Sequence, residues 1–136
     1  MTINYYLEDI ESVAKKVLKH LNSKHVLFSG EMGAGKTTLI KELVKQMGSV
    51  NQVSSPTFSL VNEYKASKHL IYHFDFYRIE SEEEAFDMGF EEYLETAHYV
   101  FIEWPEKIPN LWPLHGNNIK LEAKKDKHRC LTLTEF

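Results

Sequence analysis

The stretch Gly30-Glu31-Met32-Gly33-Ala34-Gly35-Lys36-Thr37, continued by Thr38, decides how the rest of the chain is read. It fits G-x-x-x-x-G-K-[ST], the pattern of a phosphate-binding loop. Glycines at these spacings let the backbone approach a ligand closely and turn its N–H groups inward as an anion site. A helix that begins at the end of the loop adds partial positive charge. Lys36 then reaches the outer phosphates, and the Thr37 hydroxyl is placed to ligate Mg²⁺. The flanks agree with this reading. Residues 25–29, His-Val-Leu-Phe-Ser, form a short apolar strand, and Leu39, Ile40, Leu43, Val44 and Met47 recur at helical spacing up to Gly48, a C-cap residue. Strand, glycine loop and helix follow in the order the motif requires. The expected nucleotide-binding residues are Glu31, Met32, Gly33, Ala34, Gly35, Lys36, Thr37 and Thr38.

The chain has 136 residues, 43% of them hydrophobic and 26% charged, with a formal net charge of −4 and a pI near 6.0. That is one globular domain, 1–136, with enough length for a core. The negative balance argues against gripping nucleic acid by bulk charge. No apolar run approaches a membrane span, and no basic-then-apolar leader opens the chain. Cys130 is the one cysteine, so neither an internal disulfide nor a cysteine-rich zinc site can form. A cytoplasmic location is expected. Arginine is scarce: Arg78 and Arg129 are the two among sixteen basic residues.

Outward from the loop, residues 1–6 read as a loose start or a short edge strand. Leu7, Ile10, Val13, Ala14, Val17, Leu18 and Leu21 make one helical face. After the loop helix, Ser54-Ser55-Pro56-Thr57-Phe58 is a polar turn that Pro56 keeps out of helix. Residues 58–64 and 70–77 have strand character and a short connection, which predicts an antiparallel hairpin. Leu70, Tyr72, Phe74 and Phe76 fall on one of its faces; Ile71, His73, Asp75 and Tyr77 fall on the other. Ser81 and Glu84 form a capping box, so the acidic run 82–84 is the first turn of a helix and not a metal site. Gly89 interrupts that helix before a second turn over 90–94. Residues 99–102 make a buried strand ended by Glu103-Trp104-Pro105, and 107–117 is rich in turns. Residues 119–123 and 130–133 form a final hairpin across the basic turn 124–129.

A phosphate loop needs an acidic partner for Mg²⁺ and for the attacking water. In open α/β sheets that partner stands at the carboxyl end of a strand beside the loop. Two strands end in an acid, one in Asp75 and one in Glu103. Asp75 is the better Mg²⁺ candidate, and Glu103 the better water-orienting carboxylate. Thr57 lies where a nucleotide-sensing switch would be, although a turn residue fits its position equally. His73-x-Asp75 is too weak a pattern for a metal site, and His73 reads as a surface or packing residue. Of the aromatics, Phe74, Phe76, Tyr77, Trp104 and Trp112 read as core, with a partner surface after the two acids as the other reading.

Four segments in order carry a resemblance: Gly-Glu-Met-Gly-Ala-Gly-Lys-Thr-Thr (30–38), Ser-Pro-Thr-Phe (55–58), His-Phe-Asp-Phe-Tyr-Arg (73–78) and Glu-Trp-Pro (103–105). Together they resemble the TsaE (YjeE) family, small bacterial P-loop ATPases of tRNA threonylcarbamoyladenosine biosynthesis. The likeness runs from about residue 25 to 105, and the end segments agree in kind. It implies an α/β, P-loop NTPase-like three-layer fold: a mixed sheet with parallel core strands, antiparallel hairpins and flanking helices. It implies ATP and Mg²⁺ as ligands. TsaD and TsaB are the implied partners, with tRNA met only through their complex. By position, Lys36, Asp75 and Glu103 take the catalytic roles, Thr37, Asp75 and Glu103 the metal, and Thr57 the switch-like loop; Trp104 matches a tryptophan beside the site. Glu31 and Met32 stand where the family more often has Asp and Leu. His128-Arg129 replaces a frequent Gly-Arg pair, which leaves the role of Arg129 at a nucleotide open.

Three other readings compete with a partner-dependent ATPase. A small-molecule kinase needs several arginines around its phosphates, and this chain has two. A GTP-gated binding module lacks an Asn-Lys-x-Asp stretch, which Asn117-Asn118-Ile119-Lys120 does not supply. A structural role gives the glycine loop no purpose. With no evident arginine in cis, the expectation is slow hydrolysis by the isolated chain.

Overall fold

Unbroken apolar runs such as Val26-Leu27-Phe28 and Val100-Phe101-Ile102 need cover on both faces of a sheet, and the fold supplies it. The computed structural model describes residues 1–49 and 60–136. In chain order the elements are β1 (Thr2–Tyr5), α1 (Ile10–His20), β2 (His25–Ser29), α2 (Lys36–Gln46), β3 (Val61–Ala66), β4 (His69–Asp75), α3 (Glu82–Asp87), α4 (Phe90–Thr96), β5 (Tyr99–Glu103), β6 (Asn117–Ala123) and β7 (Arg129–Glu135). Among the described residues seven strands form one sheet, in the order β1-β7-β6-β2-β5-β4-β3. β6, β2, β5 and β4 run parallel. Antiparallel pairs close both sides: β3 on β4, and β7 with β1 beyond β6. The expected mixed three-layer α/β fold is what forms.

Each face carries its own core. On one side Val13, Ala14 and Val17 of α1 and Leu39, Ile40, Leu43 and Val44 of α2 pack on Val26, Phe28, Ile71 and Phe101. On the other, Ala85, Phe90 and Leu94 of α3 and α4 pack on Leu27, Phe74, Val100 and Ile102. Alternate residues of β2 and β5 thus serve opposite layers, as a two-residue period requires. Phe74 meets Phe90 edge to face at 5.0 Å and stacks on Phe76 at 5.4 Å. Burying each such ring contributes about 1.5–3 kcal/mol.

Local chemistry sets several boundaries. Leu7–Asp9 is a 3-10 turn leading into α1, and Leu7, expected on the packing face, stays exposed. Gly48 takes φ +98° and its N–H bonds to Lys45 O at 3.1 Å, the expected left-handed stop. The β3–β4 connection is tighter than expected, because both strands extend until Ser67 and Lys68 alone turn the chain. β6 begins at Asn117 because its buried side chain is held: Oδ1 accepts from the N–H groups of Asn22 and Ser23, and Nδ2 donates to Thr134 O. The capping box is also corrected. Ser81 is the N-cap of α3, but its side chain makes no capping bond. The Glu84 carboxylate instead accepts from the N–H of Glu80, one residue before the cap, at 3.2 Å. No helix among the described residues is long and apolar enough to cross a membrane.

Candidate active site

The carboxyl ends of β2, β5 and β4 lie side by side, and each delivers a sequence-predicted group. β2 leads into the glycine loop. Gly30 there has φ +143°, and a Cβ on it would stand 2.4 Å from Leu121 O of β6. Only glycine fits both the conformation and the space. The loop ends at Gly35, φ +102°, which is the N-cap of α2 and has no side chain to cap it. The first N–H groups of a helix lack intrahelical partners, so this helix start can receive an anion. Gly33, Gly35, Lys36, Thr37 and Thr38 line a cavity of about 330 Å³. That is within the size range of small-molecule sites. Met32 also lines it, whereas Glu31 and Ala34 border a second hollow between the loop and β6.

Asp75 and Glu103, register partners at the ends of β4 and β5, line the same cavity. Glu103 is on the strand next to β2 and is 2% exposed. The Thr37 hydroxyl donates to its carboxylate, 3.0 Å from Oε1 and 3.3 Å from Oε2. Asp75 is one strand further away and accepts the N–H of Tyr77 at 3.0 Å. The carboxylate against Thr37 is therefore Glu103, although Asp75 reads from the sequence as the better Mg²⁺ candidate. The reason is strand order: β5, not β4, neighbours the loop strand, an adjacency that the chain's linear order does not reveal.

Lys36 is a buried cation, 5% exposed. Its Nζ donates to Gly30 O and sits 3.6 Å from the centroid of the Trp104 ring, a cation–π contact. Trp104 has φ +59°, left-handed for a side chain that seldom takes it. This turn directly after Glu103 lays the indole over Lys36, with Tyr77 packed at 4.9 Å. Burial pulls the Lys36 ammonium below its ordinary pKa, and the carboxylates of Glu103, Glu106 and Asp75 offset part of that.

Burial pushes the Asp75 carboxyl up; the Tyr77 N–H opposes this, Glu103 adds to it, and His73 and Lys36 pull it back. A carboxyl raised in the folded state favours folding below its unfolded value, about 3.9, and loses that advantage as pH rises through the folded value. Asp75→Asn is therefore expected to remove a decline in stability that sets in as pH rises above about 4. Urea unfolding of both proteins without nucleotide checks it: their midpoints should separate in favour of the variant as pH rises.

His73 is the residue the sequence undervalues. It is fully buried, not on the surface. Its Nε2 is 2.6 Å from Glu103 Oε2. The available signal was its place two residues before Asp75, on the same strand face. Arg129 and Lys127 also line the cavity; Arg129 lies against the glycine loop, its Nη2 donating to Gly33 O at 3.4 Å. Arg78 is exposed and lies outside the cavity lining. Phe74 and Phe76 are core as expected, while Tyr77 and Trp112 are 45% and 40% exposed. Thr57 and the rest of Ser54-Ser55-Pro56-Thr57-Phe58 lie outside the described residues.

The family model "Threonylcarbamoyl adenosine biosynthesis protein TsaE" matches residues 5–131. The tRNA threonylcarbamoyladenosine biosynthesis protein TsaE of Rickettsia conorii is 38% identical over 130 residues, 93% of this chain and 74% of that protein. The Bacillus subtilis protein of the same name is 33% identical over 128 residues, 93% of this chain and 80% of its own. A crystal structure of Bacillus subtilis YdiB covers 98% of this chain and 84% of that one, with a TM-score of 0.75 at 23% identity. At that identity the likeness speaks for the fold alone.

Proposed function

This chain belongs to the TsaE family of threonylcarbamoyl adenosine biosynthesis proteins, and we propose that it binds and hydrolyses ATP with Mg²⁺ in support of tRNA threonylcarbamoyladenosine formation. One observation carries the reading. The uncapped start of α2, the buried Lys36 and the hydrogen-bonded pair Thr37–Glu103 all meet at one cavity. A triphosphate suits this cavity because loop N–H groups and Lys36 supply the positive potential that its oxygens need.

The donor set also fits a hard divalent ion, which prefers oxygen. Thr37 Oγ1 and the Glu103 carboxylate would hold Mg²⁺, with Asp75 near enough in the sheet to join directly or through water. Among the described residues no three His, Cys, Asp or Glu side chains gather into an all-protein cage. That suits Mg²⁺, which usually takes its remaining ligands from phosphate and water. Bound there, it would supply positive charge to offset that of the phosphates. The chain's own work is to orient. Lys36 would hold the outer phosphates, Glu103 and Asp75 would position the ion and the attacking water, and Trp104 would keep bulk water from the Lys36 ammonium.

We assign TsaD and TsaB as the partners whose threonylcarbamoyl transfer to tRNA the nucleotide cycle serves. The test is a titration of ATP against GTP with Mg²⁺, alone and with both partners present. ATP is expected to bind in preference to GTP, with slow hydrolysis alone and faster hydrolysis in the mixture. Equal use of GTP, or fast turnover alone with a phosphorylated small molecule, would overturn the reading.

A further inference from the structure

We propose that His73 is a positioning residue: it holds the Glu103 carboxylate in the one orientation that also receives the Thr37 hydroxyl, and so presets the divalent-ion site. The proposal rests on the Mg²⁺-nucleotide reading above and adds to it a residue with no contact of its own to the ligands.

The placement follows from the sheet. In the parallel pair β4–β5, His73 is opposite Phe101 and Asp75 is opposite Glu103. Residues two apart share a face, so Ile71, His73 and Asp75 run beside Phe101 and Glu103 on the α2 side. Ile71 and Phe101 are core there. His73 is the next residue along this apolar row, where a polar ring is costly unless it bonds. It bonds to Glu103 Oε2 at 2.6 Å, both side chains being almost fully enclosed, 0% and 3% exposed. Its other nitrogen, Nδ1, is buried with no hydrogen-bond partner among the described residues. The Tyr64 ring lies beside the imidazole at 6.2 Å. A proton on Nδ1 would be an orphan donor, so the proton belongs on Nε2, where it is donated to the carboxylate.

Glu103 is thereby held at two points, by a buried N–H from β4 and by the hydroxyl at the start of α2. Freed from the first, the carboxylate could rotate away from Thr37, and an ion would then have to organise both ligands as it binds. Groups that orient metal ligands in this way are typically worth about 10- to 100-fold in metal affinity.

The test compares His73→Asn with His73→Gln, because the glutamine amide can extend to the Nε2 position and the asparagine amide falls short of it. Mn²⁺ affinity is measured by electron paramagnetic resonance with ATP present, and ATP affinity is measured separately in EDTA. The expected result is about 10- to 100-fold weaker Mn²⁺ binding in His73→Asn, recovery of most of it in His73→Gln, and metal-free ATP binding within about twofold of wild type in both. Wild-type Mn²⁺ affinity in His73→Asn would overturn the proposal. So would equal losses with and without metal in both variants, because a general packing role predicts that pattern. If the wild-type protein itself binds no Mn²⁺-ATP, the nucleotide reading fails and not the role of His73.

Discussion

Replacing Lys36 with alanine is expected to weaken ATP binding by about 30- to 1,000-fold. The magnitude follows from the surroundings of the ammonium. Lys36 is 5% exposed, already desolvated, and held between Gly30 O and the Trp104 ring. Removing one partner of a buried, hydrogen-bonded charge pair costs roughly 2–4 kcal/mol, and each 1.4 kcal/mol is tenfold in affinity. The unliganded protein should respond differently. With no phosphate present the buried ammonium is met, among the described residues, by a carbonyl, a ring and nearby carboxylates, and burial already pulls its pKa down. Lys36→Met, which keeps the stem but drops the charge, should therefore unfold at the same urea concentration as wild type or higher, while losing nucleotide binding as Lys36→Ala does. Isothermal titration with ATP and Mg²⁺, set beside urea unfolding of the same samples, separates the two effects. Retained affinity in Lys36→Ala would mean that the loop N–H groups alone hold the phosphates.

The parts of this site that could be read from the sequence are those in which one residue type is demanded by local geometry. Gly30 and Gly35 need φ values of +143° and +102°. The acids at 75 and 103 each close an apolar strand, and the apolar periods of α1, α2 and β5 match the faces they bury. What remained hidden depends on which strands become neighbours. Nothing between residues 30 and 103 states that β5 lies against β2 and β4 one place out, yet that order alone puts Glu103, and not Asp75, under the Thr37 hydroxyl. His73 was hidden for the same reason. Its partner is 30 residues away, and a lone histidine in a strand looks alike whether it faces water or a buried carboxylate. Asn117 closes the α1–β2 connection from 94 residues away, with no local signature. The left-handed turn at Trp104 was also illegible, because tryptophan has no preference for that conformation; the strain is stored where the indole must cover Lys36.

Substitution at Glu103 is expected to have the largest effect on turnover. Glu103→Gln preserves shape and one acceptor, but takes away the charge that a divalent ion would offset. Ion-mediated stabilisation of transferring phosphate is worth several kcal/mol, and each 1.36 kcal/mol is tenfold in rate. A fall in partner-stimulated hydrolysis of about 10²- to 10³-fold is therefore expected, with ATP affinity in EDTA nearly unchanged, since Lys36 and the loop remain. Asp75→Ala should lower hydrolysis too, but disturb metal affinity less, because Thr37 donates to Glu103 while Asp75 is occupied with the Tyr77 N–H. Single-turnover hydrolysis at saturating ATP isolates the chemical step from binding. The order of losses then decides the division of labour. If metal affinity falls more in Asp75→Ala than in Glu103→Gln, the ion sits on β4 and the sequence-based preference for Asp75 returns. If Lys36→Ala, Asp75→Ala and Glu103→Gln all lose ATP binding equally without metal, the three side chains form one indivisible phosphate site, and separate roles for anion, ion and water are wrong.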